Sequence, residues 1–436
     1  MKRRAWIPPV AALITLSAIV SGALAADNTA VPPAGTAPAS VTWTIDQVAD
    51  IALRNHPLVR QSDAETAAAA ARKGQAESPW YPSVILSTGY SRTRSFSVQS
   101  EKSLTAPNEF LRGDLSVLLT DFGRTSASVN RSDALLSATR ETGVTVREDV
   151  AYAAKVGYFN VLRAGRNLEV KRETLRQRES LLKQAEAFFE AGIRAKIEVA
   201  RTEANLYDAR AQLSQAENDV RVARITLLNR MGVEGPANFL LSDSLAAETI
   251  PGTVPDWIAE AERNRPELKT LRERERAAAQ AVRFARGGYF PVLAGAAGFG
   301  YGGDEAPLDQ NYTVGVTLSV PLFSGFLTRE QVKEAEASLS SVRHELTDVR
   351  RRVLLQVEQA AYGASEASER IGARKKEREA SDENLRLATA RYEVGVGSII
   401  EMIDAQVQMT QADTATIDAQ YDYSVSVATL LRAVGR

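Results

Sequence analysis

The chain has 436 residues with 25% charged and 6% aromatic side chains, a composition that favours long solvated helices. Its formal net charge of −1 gives no support to a nucleic-acid-binding protein, which needs a concentrated basic surface. The absence of cysteine excludes disulfides and a lipid anchor attached through an N-terminal thioether, so we expect any membrane attachment to come from the fold.

The first 25 residues predict a secretory signal peptide. A basic start at Lys2 is followed by an apolar run from Ala5 to Val20 and by small residues before Ala26, the expected cleavage site. The run is shorter than the roughly 20 residues that span a bilayer, which disfavours a membrane anchor. Cleavage removes three of the 53 basic residues and none of the 54 acidic ones, which leaves a net charge of −4. Residues 26–40, rich in Ala, Pro and Thr, predict a flexible lead-in.

A short helix and a pair of strands are predicted next. Thr44 with Gln47 has the form of a capping box that opens the helix. The segment 111–120 alternates apolar and polar residues, and the segment around 84–90 does so more weakly, which predicts strands with one apolar face. About 9–11 residues suit a tilted strand that crosses a bilayer, although a half-buried sheet of a soluble domain alternates in the same way. Residues 95–108 between them are predicted to form a loop outside the cell.

The following stretch predicts a very long helical hairpin. No proline lies between Pro107 and Pro236, and proline breaks a helix interior, so the segment from Arg124 to Glu190 is free to form one helix. At about 1.5 Å per residue it would extend roughly 100 Å, before a turn near Gly192. Apolar residues recur every seven positions in both directions, which is typical of coiled coils. These stripes are Val161, Leu168, Leu175, Leu182 and Phe189, then Val199, Leu206, Leu213, Val220 and Leu227, the latter accompanied by Ala209, Ala216 and Ala223.

After a linker the chain repeats the same order of elements. Asn55-His56-Pro57 is echoed by Asn264-Arg265-Pro266 at an offset of 209, and Gly192 by Gly395 at an offset of 203. Matches at a constant offset indicate an internal duplication. The predicted domains are a signal peptide (1–25), a flexible lead-in (26–40), repeat 1 (41–235), a linker (236–253) and repeat 2 (254–436).

The second repeat has its own short helix, strands and hairpin. Pro255 suits the first turn of the helix. Segment 312–320 alternates cleanly and segment 293–301 more weakly, so both are predicted strands, with residues 302–310 as a second outer loop. The proline-free end of the chain predicts a hairpin with its turn at Gly395–Gly397. Its stripes are Leu339, Leu346, Val353, Ala360 and Ala367, then Val396, Ile400, Ile403, Val407, Thr410, Thr414, Ile417 and Tyr421.

Four strands in a membrane require a partner. About eight strands are the practical minimum for a closed barrel, and open edges in hydrocarbon leave backbone groups unpaired at several kcal/mol each. The subunit is therefore expected to associate. A dimer would supply eight strands and a trimer twelve, and only the trimer leaves an open lumen.

The sequence resembles the outer-membrane efflux, or TolC-like, family from Trp43 to Gly435. The most specific similarity is Arg391-Tyr-Glu-Val-Gly395, followed by the segment from Ser398 to Gln406. A second signature, Pro321-Leu-Phe-Ser-Gly325, leads from a strand into a helix. The resemblance implies a mainly α fold with membrane β structure. Four strands per subunit would contribute to a twelve-stranded transmembrane barrel of a homotrimer, and coiled-coil hairpins would form a periplasmic α-barrel with a gated tip.

The resemblance also implies a passive channel in the outer membrane of a Gram-negative bacterium, with a periplasmic extension. Its implied cargo is small molecules, metal ions or secreted proteins, in efflux or type I secretion. The implied partners are outer-membrane lipid, a periplasmic adaptor (membrane fusion) protein and an inner-membrane pump of the RND, ABC or MFS type. The alternative is a periplasmic coiled-coil adaptor or structural protein of an export system, although adaptors do not duplicate two strand pairs with two hairpins.

At the tip, the resemblance implies carboxylates that ring a closed aperture. By match these are Glu401 and Asp404, with Glu198 as their counterpart in the first repeat. Residues three apart share a helix face, and three-fold symmetry would turn each into a ring of like charge that favours cations. The alternative for these charges is an ordinary solvated helix turn.

Some relatives hold the tip shut with a tyrosine and an arginine. Tyr392 keeps the tyrosine, whereas the arginine position is Gly397, which puts that closing network in doubt. Arg194 or Lys196 of the other hairpin are the candidates to replace it.

Catalysis is poorly supported by the sequence. The only histidines, His56 and His344, lie far apart, which disfavours a histidine metal site or general base. No phosphate-binding glycine loop ends in Lys-Ser or Lys-Thr, so ATP hydrolysis would belong to a partner. We therefore expect no enzyme activity, with no catalytic residue, metal or cofactor, and no nucleic-acid partner.

Overall fold

The computed structural model describes residues 42–97, 102–242, 251–303 and 308–436, without the side chains of 95–97 and 102–107. The predicted signal peptide and lead-in lie outside the described residues, as do residues 243–250 of the predicted linker.

The chain builds the same series of elements twice. The first series is β1 (Thr42–Trp43), α1 (Ile45–Asn55), α2 (Pro57–Glu77), β2 (Ser83–Ser97), β3 (Lys102–Thr120), α3 (Arg124–Glu190), α4 (Lys196–Met231) and β4 (Leu240–Leu241). The second is α5 (Val254–Asn264), α6 (Pro266–Arg286), β5 (Val292–Gly303), β6 (Asp309–Ser319), α7 (Leu327–Glu393) and α8 (Ile399–Val434). The four helices of each series have 11, 21, 67 and 36 residues in that order, which confirms the duplication.

The ends of the helices follow the predicted local signals. Thr44 and Gln47 form a capping box, in which the Thr44 N–H donates to Gln47 Oε1 at 3.0 Å. Pro255 lies in the first turn of α5, where backbone N–H groups have no partner within the helix, so the missing N–H of proline costs no hydrogen bond. The helix α3 begins at Arg124 and ends at Glu190, as the proline-free stretch predicted.

The hairpins pack largely through small residues. Alanines of the predicted stripe on α4 are buried together with two leucines: Leu206, Ala209, Ala216, Ala223 and Leu227. The stripe predicted on α8 is wrong in part, because Ile400 and Val407 are 48% and 39% exposed. The helix packs against α3 as well as α7, so its buried face is turned towards the first hairpin. In the described ranges, no helix is long and apolar enough for a membrane span.

The four long strands form one antiparallel sheet in the order β2-β3-β5-β6. Its register places Val84 opposite Leu115, Leu115 opposite Ala297, and Ala297 opposite Val314. Directly opposed residues share a face, so the apolar sides of all four strands coincide. In the single chain this face is open to solvent, with Val314 79% exposed.

The outer loops are shorter than predicted. Residues 95–97 end β2 and residues 102–108 begin β3, with Ser97 paired to Lys102. The prediction of a loop at 95–108 is therefore wrong for these residues, because backbone pairing continues beyond the end of side-chain alternation. Likewise Gly302–Gly303 and Asp309–Gln310 belong to β5 and β6. Residues 98–101 and 304–307 lie outside the described residues.

Candidate functional site: the tip of the helical hairpins

The two hairpins end in turns of the same design, at residues 191–195 and 394–398. Gly192 and Gly395 adopt left-handed φ angles of 73° and 81°, which residues other than glycine rarely adopt. In each turn an N–H reaches back five residues, from Ile193 to the Phe188 carbonyl (2.9 Å) and from Val396 to the Arg391 carbonyl (3.1 Å). This is the Schellman arrangement, which satisfies the last carbonyls of a helix.

Gly397 is required for space. Its N–H donates to the Arg391 carbonyl at 2.8 Å, which brings the backbone of the turn against the end of α7. A Cβ at this position would lie 2.9 Å from the carbonyl carbon of Arg391 and 2.9 Å from the amide nitrogen of Tyr392. Backbone atoms cannot swing aside as a side chain can. Any side chain at position 397, arginine included, would therefore displace this turn.

Arg194 supplies a guanidinium to the same place from the first hairpin. It lies 203 residues before Gly397, at the equivalent position of the other turn. Its Nη2 donates to the Gly397 carbonyl at 3.2 Å and to the Gly395 carbonyl at 3.4 Å. The guanidinium also lies over the Tyr392 ring, 5.3 Å from its centroid. The structure thus brings Arg194 against Gly397 and Tyr392, whereas Lys196 is exposed.

Tyr392 joins the two hairpins from the other side. Its ring is buried beside Phe188, with the ring centroids 5.9 Å apart, and its hydroxyl donates to Glu198 Oε2 at 3.2 Å. Burial, and secondarily the Glu198 carboxylate, raises the pKa of Tyr392 to about 12. The hydroxyl is therefore a neutral donor throughout the physiological range. Arg194 Nη1 lies 3.8 Å from the other oxygen of Glu198, so this carboxylate is shared by both groups.

The predicted carboxylates are divided between two environments. The Glu198 side chain is only 16% exposed and lies inside the contact between the hairpins. Glu401 and Asp404 are exposed beside the buried residues Met402 and Ile403. Arg391 Nε lies 3.5 Å from Glu401 Oε1, and Asp404 has no partner among the described residues. Within the described part of the chain, Asp404 is thus an unpaired negative group on this surface of α8, whereas Arg391 partly balances the charge of Glu401.

Sequence reasoning missed a buried arginine below the tip. Arg178 is 6% exposed and its Nη1 donates to Gln406 Oε1 of α8 at 2.5 Å. Burial lowers the pKa of its guanidinium, and the Asp208 carboxylate partly opposes this. The sequence did offer one signal for this residue. Arg178 lies three positions after Leu175 of the heptad stripe, so it is a charged residue on the same face of the helix. Further side-chain bonds between α3 and α8 are Tyr152–Thr429 (2.9 Å), Arg166–Gln420 (3.2 Å) and Thr174–Thr410 (3.3 Å).

Comparisons with known proteins agree on one family. A family model described as "Outer membrane efflux protein" matches residues 48–233 and 257–436. Protein CyaE of Bordetella pertussis is 27% identical over 416 residues, covering 88% of this chain and 85% of that protein. Outer membrane protein TolC of Vibrio cholerae is 26% identical over 414 residues, covering 91% and 92%.

Solved structures share the fold. A membrane protein from Pseudomonas aeruginosa superposes with a TM-score of 0.80 at 24% identity, over 90% of this chain and 93% of that one. The CmeC outer membrane channel of Campylobacter jejuni also gives a TM-score of 0.80, at 17% identity, over 90% and 85%. The fold predicted from the sequence is confirmed.

Proposed function

Because the chain belongs to the outer membrane efflux protein family, we propose that three copies of it assemble into one channel that gives passive exit across the outer membrane. The cargo would be small molecules, metal ions or secreted proteins. An inner-membrane pump would deliver it through a periplasmic adaptor, and a pump of the RND, ABC or MFS type fits this role. The proposal needs no catalytic residue in this chain.

The observation that supports assembly is the open sheet. Its outer strands β2 and β6 each have a free edge among the described residues, and its apolar face is exposed. In a bilayer each unpaired backbone group costs several kcal/mol, so edges must pair with other copies. Three sheets of four strands give a twelve-stranded barrel with lipid outside and water inside. A periplasmic adaptor or structural coiled coil has no use for such a face.

The polar face of the same sheet suits a water-filled lumen. Arg112 Nε lies 2.6 Å from Asp114 Oδ1 on this face. Gly298 of the neighbouring strand leaves room for the pair, because a Cβ there would lie 2.8 Å from Arg112 Nη2 and 2.9 Å from Asp114 Oδ1. Because Gly298 has no side chain, the Arg112–Asp114 pair can lie beside it and does not have to project into the lumen.

The proposed gate is the tip. Arg194, Tyr392 and Glu198 would hold the two hairpins of one subunit together in the closed state. Glu401 and Asp404, repeated by three-fold symmetry, would form rings of negative charge at the constriction and favour cations. Opening would then require the hairpins to separate at the Tyr392–Glu198 and Arg194–Gly397 contacts.

Membrane assembly is tested by two neighbouring substitutions on β6. Val314→Arg places a charge on the apolar face, where the cost is about 2–4 kcal/mol at the bilayer midplane. The matched Thr313→Arg points the same charge to the polar face. We expect wild type and Thr313→Arg to fractionate with outer membranes, run as trimers in mild detergent and conduct in planar bilayers. We expect Val314→Arg to show none of these three properties. Equal behaviour of the two variants, or a stable water-soluble monomer, would contradict the proposal.

A further inference from the structure

An open cavity of about 510 Å³ lies between α5, α7 and α8, at the base of the second hairpin. Three aromatic side chains line it, Trp257, Tyr362 and Tyr423, together with Leu430. The backbone of Gly252 forms one rim. This volume falls in the range of small binding sites, roughly 300–1,000 Å³.

The equivalent space in the first repeat is filled by the chain itself. Trp43 stacks on Phe239 with ring centroids 4.9 Å apart, and both are buried. Phe239 directly precedes β4, which runs parallel to β1 and pairs Trp43 with Leu241. The Ser242 N–H donates to the Trp43 carbonyl at 2.9 Å, and the buried Tyr158 hydroxyl donates to the Ser242 carbonyl. An aromatic side chain on an extended segment thus completes this core.

The second repeat lacks the groups that fill that core. At the offset of 209, Trp43 corresponds to Gly252, and at the offset of 203, Tyr158 corresponds to Ala361. The wall is kept, because Leu227 of the first repeat corresponds to Leu430. No strand pairs with residues 251–253 within the described part of the chain. The cavity is therefore the counterpart of the Phe239 site, and none of the described residues fills it.

We propose that this cavity binds an extended segment of another polypeptide that carries an aromatic side chain. The aromatic ring would lie among Trp257, Tyr362 and Tyr423, as Phe239 lies against Trp43. The segment's backbone would bond to the N–H and carbonyl of Gly252, the counterpart of Trp43, because Pro251 has no N–H and the Thr253 N–H and carbonyl already bond to Asp256 and Trp257. The inference does not depend on the chain being a channel.

Two polar groups bear on such an occupant. Trp257 Nε1 has no acceptor among the described residues and is closed off from solvent, so it would bond to a carbonyl of the incoming segment only after the indole turns towards the cavity. Glu369 lines the cavity and forms no ion pair within the described ranges, which favours a basic residue near the aromatic one.

The chain supplies its own probe. A fluorescein-labelled peptide of residues 236–242, Pro-Ala-Asn-Phe-Leu-Leu-Ser, extended by a lysine, is titrated with the purified full-length protein in detergent and followed by anisotropy. We expect saturable binding, and binding at least about tenfold weaker for the same peptide with alanine in place of phenylalanine, a loss of roughly 1.4 kcal/mol. No binding up to about 1 mM, or equal binding of both peptides, would overturn the proposal, because the site would then be closed or unselective.

Protein variants locate the binding. Ala361→Tyr restores the ring of the first repeat and should abolish binding. Tyr362→Ala removes an exposed wall residue at little risk to folding and should weaken binding by about tenfold. Tyr207→Ala, at an exposed tyrosine of α4, is the matched control and should bind as wild type. If Ala361→Tyr and Tyr362→Ala both bind the peptide as wild type does, the inference is wrong. Conductance of the same preparations is measured separately, so a failure here leaves the proposed channel untouched.

Discussion

The guanidinium of Arg194 donates to the carbonyl of Gly397, the residue at its own equivalent position in the other repeat. One copy of the duplicated turn carries a long cationic side chain at this position, and the other carries no side chain. The two residues are complementary, because the bare backbone of Gly397 leaves both its carbonyl and the Gly395 carbonyl open to the guanidinium. The contact joins the hairpins of a single subunit and needs no neighbouring copy.

The tip contact can be tested by conductance. Tyr392→Phe removes only the hydroxyl bonded to Glu198, and Arg194→Ala removes the bonds to the two glycine carbonyls. Because a hydrogen bond to a charged group contributes about 1.5–3 kcal/mol, each change should raise open-state occupancy by about tenfold or more in planar bilayers. Arg201→Ala, an exposed arginine of α4, serves as the control. Closed-state behaviour in both tip variants would refute the role.

The same contact should be insensitive to pH in the physiological range. Tyr392 has its pKa raised from 10.0 to about 12, so its stabilising contribution is complete below the unfolded value and is lost only as the pH rises through the folded value. We expect constant open-state occupancy from about pH 6 to 9, with loosening only at strongly alkaline pH. Tyr392→Phe should lack the alkaline step. A step between pH 7 and 9 that this variant abolishes would be inconsistent with the buried, neutral hydroxyl.

Gly397 and Gly165 form a matched pair of alanine substitutions. At Gly397 the new Cβ meets backbone at 2.9 Å, whereas at Gly165 of α3 nothing lies within 4 Å. Gly397→Ala should displace the turn, loosen the Arg194 contact and raise conductance. Gly165→Ala should leave conductance alone and stabilise the protein by about 0.5–1 kcal/mol, seen as a higher melting temperature. Similar effects of the two would show that the turn has room to spare.

Glu148 predicts a stability that falls as the pH rises. Burial, and next the Glu267 carboxylate, raises the pKa of Glu148, and its Oε2 has no hydrogen-bond partner among the described residues. A raised carboxyl pKa favours folding below the unfolded value of 4.5 and loses that advantage as the pH rises through the folded value. Glu148→Gln should therefore melt at a higher temperature than wild type at pH 7.5, with no gain near pH 4. The exposed Glu358→Gln should show no such difference.

The exposed carboxylates of α8 predict ion selectivity. Glu401→Ala combined with Asp404→Ala removes two charges per subunit, and the reversal potential in a salt gradient should shift away from cation preference. Glu203→Ala with Asp219→Ala removes the same charge from the exposed face of α4 and is the control. Unchanged selectivity in the α8 double variant would place both residues away from the constriction.

Much of the architecture was predictable because its signals are local. The missing prolines and the seven-residue stripes predicted the bounds of α3, and side-chain alternation predicted an apolar face on each strand, whereas the register brought Val84 and Val314 to the same face. The side-chain partners at the tip were not predictable. Whether Arg194 or Lys196 would reach Gly397 depends on how two hairpins some 200 residues apart dock, and no local pattern encodes that.

Context also decided where local patterns failed. The buried face of α8 follows from its packing on α3, where Gln406 meets Arg178, so a stripe derived from one hairpin alone pointed to Ile400 and Val407. The strands β2 and β3 extend past their apolar segments because neighbouring backbones satisfy each other. In both cases the missing information was the identity of the neighbour.

The equal length of α3 and α7, 67 residues each, restricts how this protein can change in evolution. Deleting four residues from α3 and four from α4 would draw the turn of the first hairpin back by about 6 Å, twice the reach of a hydrogen bond, and would separate Arg194 from Gly397. A shorter or longer tunnel is therefore reached only by matched changes in both repeats, in whole heptads and in all four long helices. We therefore expect related proteins to differ in hairpin length by whole heptads, with the same change in both repeats.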